Sequence, residues 1–246
     1  MTIARISIGA LALTLALGAC GGGDANQTAS AENNAPLEQV PAPNNGNWAE
    51  VVETTPEGGY RMGNPDAPVK LVEYASLTCP ACKAFSDTGT AALRDTYVRS
   101  GQVSWEFRNF ILGGPDLALS MLTRCSPAPA FFRTVEDIFT RQSDFLQAID
   151  ESEQQRILAL PPEQQIIPLA RAMDLDTYFA RRGMPETRFN QCLGDNAAIE
   201  GMMQRTQTAS QQDDVRGTPT FIINGTKQEA SSWAQLEPML RTALGR

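Results

Sequence analysis

Apolar residues follow a strand-like pattern in several short stretches of the chain. The run "VKLVEYASL", which begins at Val69, and the later "GTPTFIING", residues 217–225, are short, apolar and rich in β-branched residues, as buried strands are. In "QVSWEFRNFIL", residues 102–112, apolar and polar side chains alternate, which predicts a half-buried strand. Another short strand is predicted at Tyr60–Met62, within an extended, turn-rich segment.

Elsewhere apolar residues recur every three or four positions, and this spacing predicts helices. A first helix is expected from Cys79 to about Ser100, and a last one in "SSWAQLEPMLRTAL", residues 231–244. Between about 115 and 214 the spacing predicts a block of helices, with breaks at Pro127, Pro161, Pro162, Gly183 and Pro185. A strand–helix–strand unit, a helical block, and then a strand and a helix indicate one α/β domain with a helical insertion.

The N-terminal residues have the composition of an export signal. One Arg precedes the apolar run Ile6–Leu17, which is too short to span a bilayer as a mature helix. The stretch "LGAC" resembles a bacterial lipobox, so we expect a lipoprotein signal peptide at 1–19 and a lipidated Cys20. The alternative is an ordinary signal peptide with an incidental cysteine. Residues 20–47 are poor in groups to bury, which predicts a disordered tether before a folded domain at 48–246.

The charge of the chain argues against one class of partner. The 246 residues carry a net charge of −8, with a pI near 4.7. An acidic chain cannot neutralise phosphates along a backbone, so we expect no nucleic-acid partner. The charge is interpreted as an aid to solubility.

The cysteines carry the candidate chemistry. If Cys20 is lipidated, four of the five cysteines remain, and two of them flank Pro80 and Ala81 in the stretch "CPAC". The chain has no histidine, and the other cysteines stand alone far along the sequence, which argues against a zinc site. A purely structural disulfide between Cys79 and Cys82 would close almost no loop and stabilise little. A redox-active pair is therefore favoured.

The position of this pair suits thiol–disulfide exchange. Cys79 is placed where a strand ends and a helix begins, and the free N–H groups and dipole of that helix end stabilise a thiolate. Pro80 fits the first helical turn, where a missing N–H costs nothing. Cys82 lies one turn further on and can attack a mixed disulfide at Cys79. No bound cofactor and no metal are needed, because the two cysteines are themselves the redox centre.

Two motifs together resemble a known family. The stretch "LVEYASLTCPAC" followed much later by "GTPTFIING" resembles the DsbA-like branch of the thioredoxin fold, and the likeness runs from about Tyr60 to Leu244. The resemblance implies a thioredoxin-like α/β fold with a large helical insertion between the first βαβ unit and a strand that follows a cis-proline. It also implies a bacterial exported thiol–disulfide oxidoreductase.

The resemblance also implies roles for single residues. Pro219 matches the cis-proline opposite the cysteine pair, and Thr218 would offer its backbone to an extended substrate, with Pro80 and Ala81 beside it. From sequence alone a trans proline opening an edge strand would be favoured. Glu73 matches a buried acid that exchanges protons with the resolving cysteine, although the alternation of the strand allows it to point outward instead.

One position departs from the family pattern. Several strongly oxidising relatives have a histidine where this chain has Ala81, and an imidazolium there would stabilise the neighbouring thiolate. We therefore expect a higher Cys79 pKa and a less oxidising couple than in those relatives.

Cys125 and Cys192 both fall in the helical block and are predicted to form a structural disulfide, because an exported chain rarely leaves two thiols free. The alternative is two buried, reduced thiols.

The resulting hypothesis is a monomeric, lipid-anchored oxidoreductase on the periplasmic side of the cell envelope. It would exchange disulfides with cysteine-containing exported client proteins, and a separate membrane redox partner would recycle it. Oxidation is favoured over reduction or isomerisation, because isomerases of this fold are usually dimeric and the sequence shows no dimerisation segment before the core. A client-binding, chaperone-like module with incidental cysteines is the alternative from another class. A peroxide-reducing enzyme is disfavoured, because no suitable Arg and hydroxyl were located.

Overall fold

The computed structural model describes residues 36–246; the predicted signal peptide, Cys20 and most of the predicted tether lie outside the described residues. The strands are β1 (Val52–Thr54), β2 (Tyr60–Met62), β3 (Val69–Ala75), β4 (Val103–Asn109), β5 (Thr220–Ile223) and β6 (Thr226–Gln228). The helices are α1 (Pro80–Ala92), α2 (Gly114–Arg124), α3 (Phe131–Thr140), α4 (Gln142–Gln147), α5 (Glu151–Leu158), α6 (Ile166–Ala172), α7 (Leu175–Ala180), α8 (Glu186–Leu193), α9 (Asn196–Gln212) and α10 (Trp233–Ala243). A π-helical segment, Leu93–Val98, continues α1.

The six strands form one mixed sheet in the order β1-β2-β4-β3-β5-β6. β3 and β4 are parallel and joined through α1, whereas the other neighbouring strands pair in antiparallel fashion. β3 lies in the interior of the sheet, with β4 on one side and β5 on the other. The strand–helix–strand unit, the helical insertion and the returning β5 confirm the predicted fold class. The edge strands β1 and β6 were not predicted, since each is three residues long and has little apolar pattern.

The two faces of the sheet are covered by clusters of unequal size. Val69, Leu71 and Ala75 of β3 join the large core that also contains much of the helical insertion. Tyr74 and Ile222 belong to a small second cluster on the other face. In β4 the residues at 103, 105 and 107 face the large core, as the alternating pattern predicted.

The helical insertion extends from α2 to α9 and contains one disulfide. The sulfur atoms of Cys125, at the C-cap of α2, and Cys192, in α8, are bonded at 1.95 Å, with the Cα atoms 6.2 Å apart. Pro127, Pro161 and Pro162 fall in the connections between these helices, where breaks were expected.

Residues before β1 make contacts with the folded domain. The tether was expected to continue to residue 47, but the Val40 N–H donates to the Ser100 carbonyl at 2.8 Å, and the indole of Trp48 donates to the Val40 carbonyl at 2.9 Å. Leu37 packs against the large core. One apolar side chain and these hydrogen bonds thus attach residues 37–48 to the domain, and the boundary at residue 48 stays a prediction. None of the helices in 36–246 has the length and apolar character needed to cross a bilayer.

Candidate active site

The two cysteines lie at the N-terminus of α1, directly beyond the end of β3. Cys79 is the N-cap residue with an extended backbone, and Pro80 is the first helical residue, as the missing N–H of proline allows. Both thiols are free; Cys82 is fully buried, while Cys79 is 8% exposed. A reactant in solution can therefore reach Cys79 but not Cys82.

The environment drives the acidities of the two thiols apart. The pKa of Cys79 is lowered to about 5, mainly by a hydrogen bond from the Cys82 side chain, while burial acts in the opposite direction. The Thr218 side chain and the backbone N–H groups of Cys82 and Ala81 lower it further. The pKa of Cys82 is raised by burial, by its hydrogen bond to Cys79 and, once Glu73 has lost its proton, by the charge of that carboxylate. Cys79 is thus a thiolate near neutral pH, and Cys82 is its proton-bearing partner.

The loop before β5 lies against Cys79. The Thr218–Pro219 peptide bond is cis, and Pro219 is buried. When protonated, the Cys79 thiol donates a hydrogen bond to the Thr218 carbonyl oxygen at 3.1 Å. The Thr218 hydroxyl is buried without a hydrogen-bond partner in the thiol form, so it is available to donate to a Cys79 thiolate.

Glu73 points into the large core, and this resolves the question of which strand face it occupies. Its side chain is 1% exposed, on the same face of β3 as Leu71 and Ala75. The indole N–H of Trp105 donates to Glu73 Oε2 at 3.0 Å. Burial raises the pKa of Glu73 to about 8, and the hydrogen bond from Trp105 opposes that shift. At neutral pH the group is therefore a protonated acid beside Cys82.

Glu73→Gln keeps the shape of the side chain and an acceptor for Trp105 but cannot release a proton. If Glu73 gives a proton to the leaving Cys82, opening of the Cys79–Cys82 disulfide by a thiol should slow by about a hundredfold at neutral pH. Glu73 holds its proton below about pH 8 and loses it above. The rate ratio of wild type to E73Q, measured by stopped-flow reaction with glutathione, should therefore fall as the pH rises through about 8. A ratio that is constant with pH would contradict the role.

Two residues of the helical insertion hold the loop that carries Cys79. Gln142 Nε2 donates to the carbonyl oxygens of Leu77 at 2.9 Å and Cys79 at 3.1 Å. Asp116 accepts from the Leu77 N–H at 2.9 Å and from the Leu112 N–H at 3.0 Å. Burial raises the pKa of Asp116 to about 6, against the effect of these hydrogen bonds. Sequence reasoning missed both residues, because neither stands in a motif and each reaches the loop only through the tertiary fold.

Gln142→Leu removes both of the hydrogen bonds made by the amide. Two buried carbonyl oxygens then lose a donor, so we expect the free energy of unfolding of the reduced protein to fall by about 2 kcal/mol. Urea unfolding measures this directly. Gln147→Leu, at an exposed position of the same short helix, is the matched control and should change stability little. Equal losses in the two variants would show that the loop is not held in this way.

The remaining predicted site residues lie at the surface of the same region. Pro80 and Ala81 are exposed at the start of α1, next to the accessible thiol. In the part of the chain from 36 to 246, no group of three or more His, Cys, Asp or Glu side chains is arranged to hold a metal ion.

Comparison with known proteins gives consistent matches. A family model described as Thioredoxin matches residues 55–241. A Rickettsia bellii relative described as a protein-disulfide oxidoreductase is 27% identical over 173 residues, 70% of this chain but only 60% of the relative's own length. "Disulfide bond formation protein D" of Bacillus subtilis is 22% identical and covers 73% of each chain. This chain thus spans only about 60% of the length of the Rickettsia bellii relative.

Solved structures support the same assignment. A protein-disulfide isomerase from Novosphingobium aromaticivorans has a TM-score of 0.72 at 28% identity, covering 76% of this chain and 97% of that one. Wolbachia pipientis alpha-DsbA1 has a TM-score of 0.62 at 20% identity, covering 78% of this chain and 94% of that one. At this identity the likeness supports the fold alone. The family model covers well over half of the chain, and so the chain belongs to the thioredoxin family, with the fold of its DsbA-like members.

Proposed function

We propose that this chain is an extracytoplasmic thiol–disulfide oxidoreductase that works through Cys79 and Cys82. The observation that carries the proposal is the divergence of two thiol pKa values at one helix N-terminus, with an accessible thiolate at Cys79 and a buried, protonated Cys82. This is the arrangement that disulfide exchange requires: one sulfur that reacts with clients and one that resolves the mixed disulfide. The names of the relatives from Rickettsia and Bacillus support it.

The proposed reaction begins with the oxidised pair. A client thiolate attacks Cys79 Sγ; a client–Cys79 disulfide forms, and the Cys79–Cys82 bond breaks. The departing Cys82 sulfur takes a proton, for which Glu73 is the proposed donor. A second client thiolate then attacks the client sulfur, which completes the client disulfide and releases Cys79 as a thiolate. The enzyme's cysteines now hold the two electrons, and a membrane redox partner would remove them.

The direction proposed is net oxidation of clients. A low Cys79 pKa stabilises the reduced pair and makes Cys79 a good leaving group, and both effects favour passing a disulfide to a client. Pro80, Ala81, Thr218 and Pro219 are proposed to line the groove in which the client peptide lies extended. The surface position of the first two and the backbone of Thr218 beside Cys79 Sγ support this.

The cellular setting is part of the proposal. A lipid on Cys20 would anchor the chain to the membrane as a monomer on the periplasmic side, where client thiols are oxidised. The names of the Bacillus relatives, disulfide bond formation proteins, fit such a setting. Cys125 and Cys192 are proposed to be structural, since Cys192 is buried and the pair joins two helices of the insertion.

The direction is tested by incubating oxidised enzyme with a reduced, unfolded disulfide protein and following free thiols and regained activity. Stoichiometric oxidation of the client supports the proposal. Preferential reshuffling of wrongly paired disulfides would instead favour isomerisation, the activity named for the Novosphingobium structure.

Ala81→His should place a positive charge beside the Cys79 thiolate. We expect the variant to have a lower Cys79 pKa and a couple more oxidising by about 30 mV, because a stabilised thiolate favours the reduced pair. Glutathione equilibration measures the potential, and Ala81→Gln controls for side-chain size without charge. A Cys79 pKa that is the same in all three proteins would refute this explanation of position 81.

A further inference from the structure

A cleft of about 420 Å³ lies away from the cysteine pair, between the sheet and α9. It is lined by Tyr74 and Ala209 of the small second cluster, by Arg108 of β4, by Arg124 at the end of α2, and by Arg205 of α9. Neither cysteine of the pair, nor Thr218 or Pro219, contributes to its walls. The volume is that of a site for a small molecule rather than for a protein segment.

Two of the three arginines have no acidic partner in the part of the chain that the structure describes. Among the described residues, no carboxylate lies within salt-bridge distance of Arg124 or Arg205, whereas Arg108 is bonded to Glu106 at 2.7 Å. The Arg124 guanidinium stacks over the ring of Tyr60, 4.9 Å from its centre, and donates to Asn109 Oδ1 at 3.4 Å. Both contacts orient the group without neutralising its charge.

Two glycines leave room for the side chain of Arg205. A β-carbon at Gly58 would lie 2.7 Å from Arg205 Cδ, and one at Gly201 would lie 3.3 Å from Nη1. Larger residues at either position would displace the guanidinium. The fold therefore leaves space for this charge close to that of Arg124, and the two guanidinium groups both act on Tyr60.

The acidic groups of the cleft contact Arg108 and Tyr74 rather than Arg124 or Arg205. Glu57 is 3.9 Å from Arg108, and Asp213 accepts a hydrogen bond from the Tyr74 hydroxyl, which in turn accepts one from Arg108. Burial lowers the pKa of both Arg124 and Arg205, and the charge of Arg205 lowers that of Arg124 further. Two partly buried positive charges thus repel each other on a chain whose net charge is −8. An anion between them would relieve that repulsion.

We propose that this cleft binds the phosphate group of a small molecule between Arg124 and Arg205. Two guanidinium groups match a dianion in charge, and each can give paired N–H donors to the oxygens of a tetrahedral phosphate. A single carboxylate would neutralise only one of them. Gln204, Thr208 and Gln212 also line the cleft and supply neutral donors for the rest of the molecule.

The test is calorimetric titration of the whole chain with inorganic phosphate at an ionic strength held constant with chloride. We expect one phosphate per chain, and an affinity that falls by at least about tenfold in Arg205→Gln, because charge-assisted hydrogen bonds are lost. Arg205→Lys keeps the charge but not the paired donors, so its affinity for phosphate should lie between those of the wild type and R205Q. This variant replaces R205Q in the comparison if R205Q folds poorly. Arg133→Gln is the matched control: Arg133 is exposed on α3 and lines a different cleft, to which neither Arg124 nor Arg205 contributes, so its replacement should not affect binding.

Several outcomes would overturn the proposal. They are absence of phosphate binding to the wild type, equal binding by wild type and R205Q, or a loss in R133Q as large as that in R205Q. The potential of the Cys79–Cys82 couple should be unchanged in R205Q, so failure of this site and failure of the redox proposal can be told apart.

Discussion

Replacing Cys79 with serine is expected to reduce disulfide exchange with client proteins to the uncatalysed rate. Cys79 is the only one of the two thiols that a client can reach, and it is the one with the lowered pKa. Cys82 cannot take over, because it is fully buried and its pKa is raised. Oxidation of a reduced client protein, followed by loss of free thiols, measures the effect.

Cys82→Ser is the companion variant and has a different expected outcome. It retains the nucleophile but lacks the resolving thiol, so mixed disulfides between Cys79 and clients should accumulate and be visible on a non-reducing gel. If C79S instead retained full function, the pair would be incidental, and the client-binding module would replace the enzyme as the explanation.

Removing the second disulfide should produce the largest loss of stability. A chain with Cys125→Ala and Cys192→Ala lacks a cross-link that spans 67 residues, so the unfolded state gains conformational freedom. We expect the free energy of unfolding to fall by about 4 kcal/mol, as measured by urea unfolding. The potential of the Cys79–Cys82 couple should change little, since the two pairs are in different parts of the fold.

The control for this variant is the same comparison under reducing conditions. With the disulfide reduced in the wild type, most of the difference between the two proteins should disappear. A loss below about 1 kcal/mol in the oxidised proteins would show that the bond contributes little, and that the cysteines act mainly as small apolar groups.

The sequence predicted the parts of the fold that are encoded locally. The apolar pattern is clear in β3, in β4 and at the start of α1. A strand–helix–strand order predicts that the two strands pair in parallel, and β3 and β4 do so in the structure. The CPAC stretch and the proline at 219 were singled out because each stands in a short motif, and their roles at the site stay predictions. The face of β3 that holds Glu73 could not be decided, because alternation fixes which residues share a face but not which face is covered.

Other features depend on contacts between distant segments. Gln142 and Asp116 reach the active-site loop from the helical insertion, and nothing in their neighbouring residues indicates that contact. The contacts before β1 are of the same kind: hydrogen bonds and the side chain of Leu37 attach a stretch of low apolar content to the domain. In both cases the conformation of the segment depends on contacts with distant parts of the chain rather than on the secondary-structure preference of its own residues.

The central claim is tested most directly by equilibrating the Cys79–Cys82 couple with glutathione and determining its potential. A reversible disulfide with a potential less negative than about −200 mV would mark a couple able to oxidise clients, as proposed here. A potential near −270 mV would mark a reductant and contradict the proposed direction. Failure of the two cysteines to form any reversible disulfide would contradict the redox function altogether.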